Sequence, residues 1–355
     1  MKNKFLKYLV DPLTGENISQ KLVFKQIDNE IIDGLLFFSS WWYPIINGVP
    51  RLLVNGAKSD LLRRYFNFFE TYRRKLPTPV SKQWKQVLLS VADSDKFSIH
   101  QRKTAESFTF EWKNIYRENS FEQKNYLHFT GPFVDEKLIS NKTIIDVGCG
   151  SGRFTKQPAL IGAKVVFGVD LGDTVEVAYQ LTRNLTNVAI VQCDIYNLPF
   201  GRVFDLAHSI GVIHHLSDPY MGFSKLPKLL KKEGQLIVWV YNRRHNNRAL
   251  YFYEPVRKIT SRLPKELLYY ICYIPAFGVH MINLLTEHFK NPPFGYYRNF
   301  PFNMKLNDTF DVFATPKCNY FLVEEVIGWY KRVGLKKIKA YEHPEAGITC
   351  IGTHG

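Results

Sequence analysis

Between Thr143 and Tyr241, short β-branched and aromatic runs alternate with stretches at helical spacing and with Gly turns, the pattern of repeated βαβ units. The runs TIIDVG, KVVFGVD, VAIVQCD, FDLAHSI and QLIVWVY are nearly continuously apolar, as strands covered on both faces by helices must be. A parallel, doubly wound sheet follows. Further on, Val323 to Val333 has amphipathic helical spacing stopped by Gly334, and KKIKAYE and ITCIGTH read as two last strands, making seven. The expected fold class is α/β.

Two pieces precede the sheet. Residues 1–56 read as a small β module (KLVFKQ, EIIDGLLFF, YPIINGVPRLL), and residues 57–130 as a helical extension or lid with a break at PTPVSK; 131–355 then form the sheet domain. After the fifth strand, an aromatic, Pro-rich insertion at about 242–320 is too long for a plain loop. It is expected to form a helical cap over the sheet's ligand edge. Its most apolar part, Leu267 to Leu285, approaches the length of a spanning helix, but Pro275 and Gly278 interrupt it and Tyr, His and Asn dilute it. It reads as buried cap helices, as a hydrophobic pocket wall or as a peripheral contact with a membrane surface, not as a span.

Charge narrows little. The 355 residues carry +15, yet residues 146–240 hold nine Lys/Arg against eight Asp/Glu, so the positive excess belongs to the flanks, where a substrate or partner would be met. The five cysteines include no CxxC pair, which excludes a disulfide framework and a zinc ribbon and suits a reducing compartment. The start, MKNKFLKYLV, lacks a continuous apolar segment of the secretory kind. The expectation is a cytoplasmic protein, membrane-associated if the 267–285 region makes its surface contact, with no metal.

The chemistry concentrates after the first central strand. DVGCGSGRF (Asp146 to Phe154) ends a strand and opens a helix, where a Gly-rich turn lets a ligand approach backbone amides closely. Gly148, Gly150 and Gly152 space as GxGxG, one residue tighter at the third Gly than the dinucleotide fingerprint. Asp170 ends the second strand, placed to accept both hydroxyls of a ribose; Asp194 ends the third, with Cys193 and Ile195 able to flank a flat base.

With these residues in place, the chain resembles the class I S-adenosylmethionine-dependent methyltransferases, in the group that shares the pattern of the ubiquinone and menaquinone C-methyltransferases. The resemblance is close over about 125–241 and architectural over 321–355, with FDLAHSIGVIHHLSDP and LPKLLKKEGQLIVWVYN matching the fourth strand, the next helix and the fifth strand. It implies a Rossmann-like sheet and S-adenosyl-L-methionine as cofactor. The implied cofactor residues are Asp146, Gly148, Gly150 and Gly152 for the methionine part, Asp170 for the ribose, and Cys193 with Asp194 for the adenine; Cys149, Leu171, Ile195 and Ser209 complete the set. QRKTAESFTFEWKNIY (Gln101 to Tyr116) resembles the segment that lies over the cofactor in many relatives; Phe108, Phe110, Trp112 and Tyr116 fit an ordinary amphipathic core face equally well.

An oxygen or carbon acceptor needs its proton removed, and His214 and His215, just past the fourth strand, stand where a general base belongs. Tyr241 and His245 are alternatives, while the His-His-Leu turn also reads as purely structural. The Asn-Pro-Pro-aromatic motif of adenine and cytosine amino-methyltransferases is missing from the fourth strand; NPPF at 291–294 lies in the insertion and reads as a Pro turn. The N-terminal YLVDPLTGE and YPIINGVPRLL resemble the small zinc-ribbon activator proteins of tRNA and rRNA methyltransferases, but Asp11 and Thr14 replace the first ligand pair and FFSSWW the second. The leading expectation is methyl transfer to oxygen or carbon of a small-molecule or lipid-like acceptor. The alternatives are a tRNA or rRNA methyltransferase and a non-catalytic scaffold.

Overall fold

The structure, a computed structural model, describes residues 1–90, 96–244, 249–290, 293–344 and 347–355. Its N-terminal module is an antiparallel sheet in the order β1 (Gln20–Ile27), β2 (Glu30–Phe37), β3 (Trp42–Ile46) and β4 (Val49–Pro50). The extension is helical as expected: α1 (Asn55–Arg64), α2 (Phe66–Thr71), α3 (Thr78–Leu89), α4 (Lys96–Asn114) and α5 (Glu122–Thr130). PTPVSK opens α3 instead of only breaking a helix, because Pro in a first turn forfeits no intrahelical hydrogen bond.

After the short α6 (Glu136–Ile139) come β5 (Thr143–Val147), α7 (Arg153–Ile161), β6 (Val165–Asp170), α8 (Thr174–Thr182), β7 (Val188–Gln192), β8 (Phe204–Ile210), α9 (Pro219–Phe223) and β9 (Leu230–Tyr241). The insertion contributes α10 (Glu254–Thr260), α11 (Lys265–Leu285) and α12 (Phe302–Ala314), and the chain returns through α13 (Val323–Arg332), β10 (Lys336–Glu342) and β11 (Gly347–Thr353). The seven strands order as β10-β11-β9-β8-β5-β6-β7. Strands β9 to β7 pair in parallel and β11 runs antiparallel to both neighbours, so the sheet is mixed. The link between β10 and β11 is too short for the crossover a parallel pair needs.

Every residue of β5 and β7 is buried, which is what their unbroken apolar runs require. The strand order reverses between β8 and β5, and the crevice outside the carboxyl ends of those strands is where ligands bind in such sheets.

The cap buries one stripe of α11, Leu268, Cys272 and Ala276, against Leu306, Phe310 and Ala314 of α12. Its opposite face is open, with Ile274 77%, Tyr270 69% and Leu285 75% exposed. Pro275 does not interrupt this helix. The carbonyl it leaves without a partner belongs to Ile271, on the exposed side, where water can serve it. Among the described residues, α11 alone is long and apolar enough to cross a membrane.

The N-terminal module is joined to the large sheet. The Leu52 amide donates to the Gln192 carbonyl at 2.8 Å, so the chain after β4 runs along the β7 edge. Arg51, fully buried, donates to Gln192 Oε1 at 2.9 Å, pairs with Glu176 at 3.3 Å and lies 4.9 Å from the Tyr65 ring. Asp11, which the sequence sets against the first metal-ligand pair of the activator proteins, accepts from the Leu13 and Thr14 amides and from the Tyr43 hydroxyl. The Lys58 ammonium donates to the Trp42 carbonyl at 2.6 Å against the Trp42 and Tyr43 rings, and burial pushes its pKa down to about 7. Hydrogen bonds and a buried cation tie that corner together.

Without Arg51, Glu176 keeps Tyr65 and Lys113, but the buried Gln192 Oε1 loses its donor, at a cost of about 1–3 kcal/mol. Arg51→Leu is therefore expected to lower the stability of the chain by about 1–3 kcal/mol in urea unfolding. An unchanged midpoint would show that the module is not anchored through this residue.

Candidate active site

The site is built on the turn between β5 and α7. Gly148, Gly150 and Gly152 have φ of +82°, +52° and +83°, a region that side chains disfavour. A Cβ on Gly148 would sit 2.2 Å from Val212, and one on Gly150 3.0 Å from the Trp112 indole nitrogen. The amides of Gly148 and Cys149 both donate to the Val169 carbonyl, at 2.8 and 2.9 Å, which pins the turn to β6.

Asp170, at the end of β6, accepts from the Gly150 amide at 3.0 Å and the Gly172 amide at 2.8 Å. Burial raises its pKa, and the two amide bonds oppose the rise. Asp194, after β7, accepts from the Tyr196 amide at 3.1 Å and faces the Gln101 amide group at 3.3 Å; burial raises its carboxyl too. Burial also lifts the Cys149 and Cys193 thiols, so both stay neutral.

One cavity of about 250 Å³ runs over these groups. Gly148, Cys149, Gly150, Asp170, Leu171, Cys193, Asp194 and Ile195 line it. Asp146, Gly152 and Ser209 stand behind its wall. Asp146 accepts from Thr155 Oγ1 at 2.7 Å with His208 at 3.3 Å, and Ser209 donates to the Val147 carbonyl at 2.8 Å. Their part is to hold the turn. Helix α4 covers the cavity with Gln101, Thr104, Phe108, Glu111 and Trp112, whereas Phe110 turns away to stack on Phe310 at 5.4 Å. The segment is thus a lid on one face and core on the other.

His214, His215 and Tyr241 also line the cavity. The His215 ring meets the Lys317 carbonyl at 3.1 Å, and Asn319 donates to the His214 carbonyl at 2.8 Å, so the His-His-Leu turn is tied to the strand-like segment before α13. Burial pushes both imidazoles below their ordinary value, His214 furthest, and pushes Tyr241 well up; all three are neutral at pH 7. Donor atoms of His214, His215 and Cys318 lie within 4.8 Å of one another. The Arg257 guanidinium bonds the Cys318 thiol and bears on both imidazoles, so a divalent cation there would have to displace another cation. His245 and the Asn291-Pro292 of NPPF fall outside the described residues.

The sequence reading missed the part of the wall built by the insertion. Tyr297, Asn307, Asp308 and Asp311 line it, with Glu111 of α4 against Asn307; the signal was NDTFD in α12, whose spacing puts Asp308 and Asp311 on one helix face. Six polar atoms of cavity-lining residues, His100 Nε2, Thr104 Oγ1, His214 Nδ1, Ser217 Oγ, Trp239 Nε1 and Asn307 Oδ1, are buried without a protein partner. Buried polar atoms without partners are rare and mark where a ligand supplies them.

The methyltransferase domain family model matches residues 145–238. Those residues are a methyltransferase domain. The chain is 31% identical to a tRNA U34 carboxymethyltransferase of Ruthia magnifica over 106 residues, 29% of this chain and 33% of that protein. It is 29% identical to an Encephalitozoon cuniculi protein named as a methyltransferase over 129 residues, 35% of this chain and 57% of that one. The first match thus spans about a third of the relative's own length. Among solved structures, the magnesium protoporphyrin IX methyltransferase of Synechocystis with bound SAH aligns over 74% of this chain and 100% of that one, at 13% identity and a TM-score of 0.44.

The domain's cofactor is S-adenosylmethionine, and the residues fit it: a carboxylate for ribose hydroxyls at Asp170, flat walls at Leu171, Cys193 and Ile195, a second carboxylate at Asp194, an unpartnered Thr104 hydroxyl, and a glycine turn that a Cβ would fill.

Two outcomes are expected. Losing two charge-assisted hydrogen bonds of about 1.5 kcal/mol each weakens binding roughly 100-fold, so Asp170→Ala should weaken S-adenosylmethionine binding by about that factor in calorimetry; unchanged affinity would displace the ribose assignment. In the unfolded chain His214 and His215 bind protons below about pH 6.5, while the folded chain keeps them neutral, so stability is lost as pH falls through that value. Tm should drop between pH 7.5 and 5.5, and His214→Gln should narrow the drop; a pH-independent difference between the two proteins would contradict the burial argument.

Proposed function

We propose that the chain is an enzyme that transfers the methyl group of S-adenosylmethionine to a nucleophile presented in the same cavity. The observation that carries this reading is the continuity of one cavity, lined both by Gly148, Asp170 and Asp194 and by Tyr241, Asp308 and Asp311. Methyl transfer from a sulfonium is an in-line displacement in which positive charge disperses, so alignment and exclusion of water do most of the work, with alignment alone able to supply roughly 7–11 kcal/mol. The cavity's 250 Å³ is small beside the roughly 300–1,000 Å³ of sites for drug-sized ligands.

For the acceptor, the curated relatives support RNA better than the small molecule expected from sequence, since the Ruthia relative is a tRNA U34 carboxymethyltransferase. A tRNA nucleoside is accordingly the leading acceptor in this proposal, with the Lys/Arg excess outside residues 146–240 following the phosphates. A lipid-like acceptor is the second reading. The open face of α11, with Tyr270, Ile274 and Leu285 exposed, favours it, because such a face can lie in the plane of a membrane surface. The likeness to the ubiquinone and menaquinone group, the activator-like ancestry of the N-terminal module and a cytoplasmic location belong to the same proposal.

The test is to incubate the protein with isotope-labelled S-adenosylmethionine and host RNA, lipid and metabolite fractions, in low and high salt. Label in RNA, falling steeply as salt rises, is the expected result. Label in lipid would install the second reading, and no label in any fraction by a protein that binds the cofactor would overturn the enzymatic one.

A further inference from the structure

The cavity wall around α12 is rich in oxygen acceptors. Glu111 is 2% exposed and takes a hydrogen bond from the Asn307 amide group at 2.7 Å. Asp308 accepts from the Tyr297 hydroxyl, and Asp311 from Thr315 Oγ1 at 2.8 Å. Asn307 Oδ1 has no protein partner, although Asn307 is only 6% exposed and lines the cavity. Asp308 and Asp311 stand against one cation among the described lining residues, Arg153, whose guanidinium lies over the Trp112 and Phe154 rings at 4.9 and 4.5 Å, while burial raises Glu111 well above its ordinary value and leaves it uncharged. His214, His215 and Tyr241 add no charge, since burial keeps each neutral.

Such a wall selects by charge and by donor count. A phosphate, carboxylate or carbonyl brought to it meets like charge and lone pairs, and an alcohol offers one donor. An alkylammonium offers three N–H donors and a positive charge to carboxylates that strengthen each bond. Burial, with Asp311 nearby, holds the Asp308 carboxyl up, to about 6, against the pull of Arg153; a bound cation relieves it.

We propose that this part of the cavity recognises an aliphatic amine in its ammonium form, gripped by Asp308 and Asp311, and that its nitrogen is the methyl acceptor. The inference rests on the methyltransferase reading above and replaces the oxygen or carbon acceptor and the histidine base expected from sequence. One N–H proton passes to a carboxylate oxygen of the Asp308–Asp311 pair. The freed nitrogen pair then forms the N–C bond to the methyl carbon as the C–S bond breaks and its electrons go to sulfur. The products are the N-methylated ammonium and S-adenosylhomocysteine. The amine can be borne by a modified nucleoside, an amino sugar or an aminolipid.

The test is binding. In protein saturated with S-adenosylhomocysteine, n-butylammonium is expected to raise Tm saturably, while n-butanol and butyrate leave it unchanged. Asp308→Asn and Asp311→Asn should each raise the half-saturating amine concentration about 10-fold or more, with S-adenosylhomocysteine affinity kept within about twofold as proof of an intact fold. Tyr297→Phe, which only frees Asp308 of its donor, should retain amine binding. Equal responses to butanol and butylammonium, or none to butylammonium in protein that binds S-adenosylhomocysteine, or Asn variants that keep the full response, would overturn the proposal. Failure to bind S-adenosylhomocysteine would instead remove the reading on which it rests. Among bulk tRNA, glucosamine and phosphatidylethanolamine vesicles supplied with labelled cofactor, the one labelled on nitrogen identifies the source of the amine, and label on oxygen or carbon in any of them counts against it.

Discussion

Everything in the site depends on one backbone constraint: after β5 the chain must turn sharply enough to bring bare backbone against a ligand while its own amides stay satisfied within the protein. Gly148, Gly150 and Gly152 take left-handed conformations, and β6 makes the turn stable by accepting two of its amides at the Val169 carbonyl and a third at the Asp170 carboxylate. The carboxylate that fixes the turn is also the one proposed to take the ribose. Asp146 completes the arrangement from beneath, held by Thr155 and His208 out of the cavity. Substituting any of the three glycines would therefore disturb cofactor and fold together, through Val212, Trp112 or Ala178.

The central sheet and this turn were legible in the sequence because both obey local rules. Strands buried on two faces need unbroken apolar runs, and FDLAHSI coincides with β8 residue for residue. Left-handed turns need glycine. What sequence left open was decided by distant contacts. Whether Phe108, Phe110 and Trp112 belong to a lid or a core depends on α12, some 190 residues further along in numbering, which takes Phe110 onto Phe310 and leaves the other two over the cavity. Pro275 looked like a break because a helix interior normally cannot spare the hydrogen bond, but on an open face water repairs the loss.

Net charge said little about the site. The chain carries +15, yet the cavity wall on α12 is set by Asp308 and Asp311 against Arg153. Net charge describes the outer surface that a polyanion would meet, whereas a cavity's sign is fixed by the few groups that burial leaves unscreened. A basic exterior and an acidic interior are compatible. The first suits delivery on a phosphate backbone, the second selection of one cationic group.

The central claim is that one cavity aligns S-adenosylmethionine with an acceptor held by the α12 carboxylates. A crystal structure with S-adenosylhomocysteine tests it most directly. The account predicts adenine between Leu171 and Cys193–Ile195, both ribose hydroxyls on Asp170, and the sulfur facing the wall lined by Tyr241 and Asp311. Density outside this cavity, or a ribose that does not touch Asp170, would contradict it.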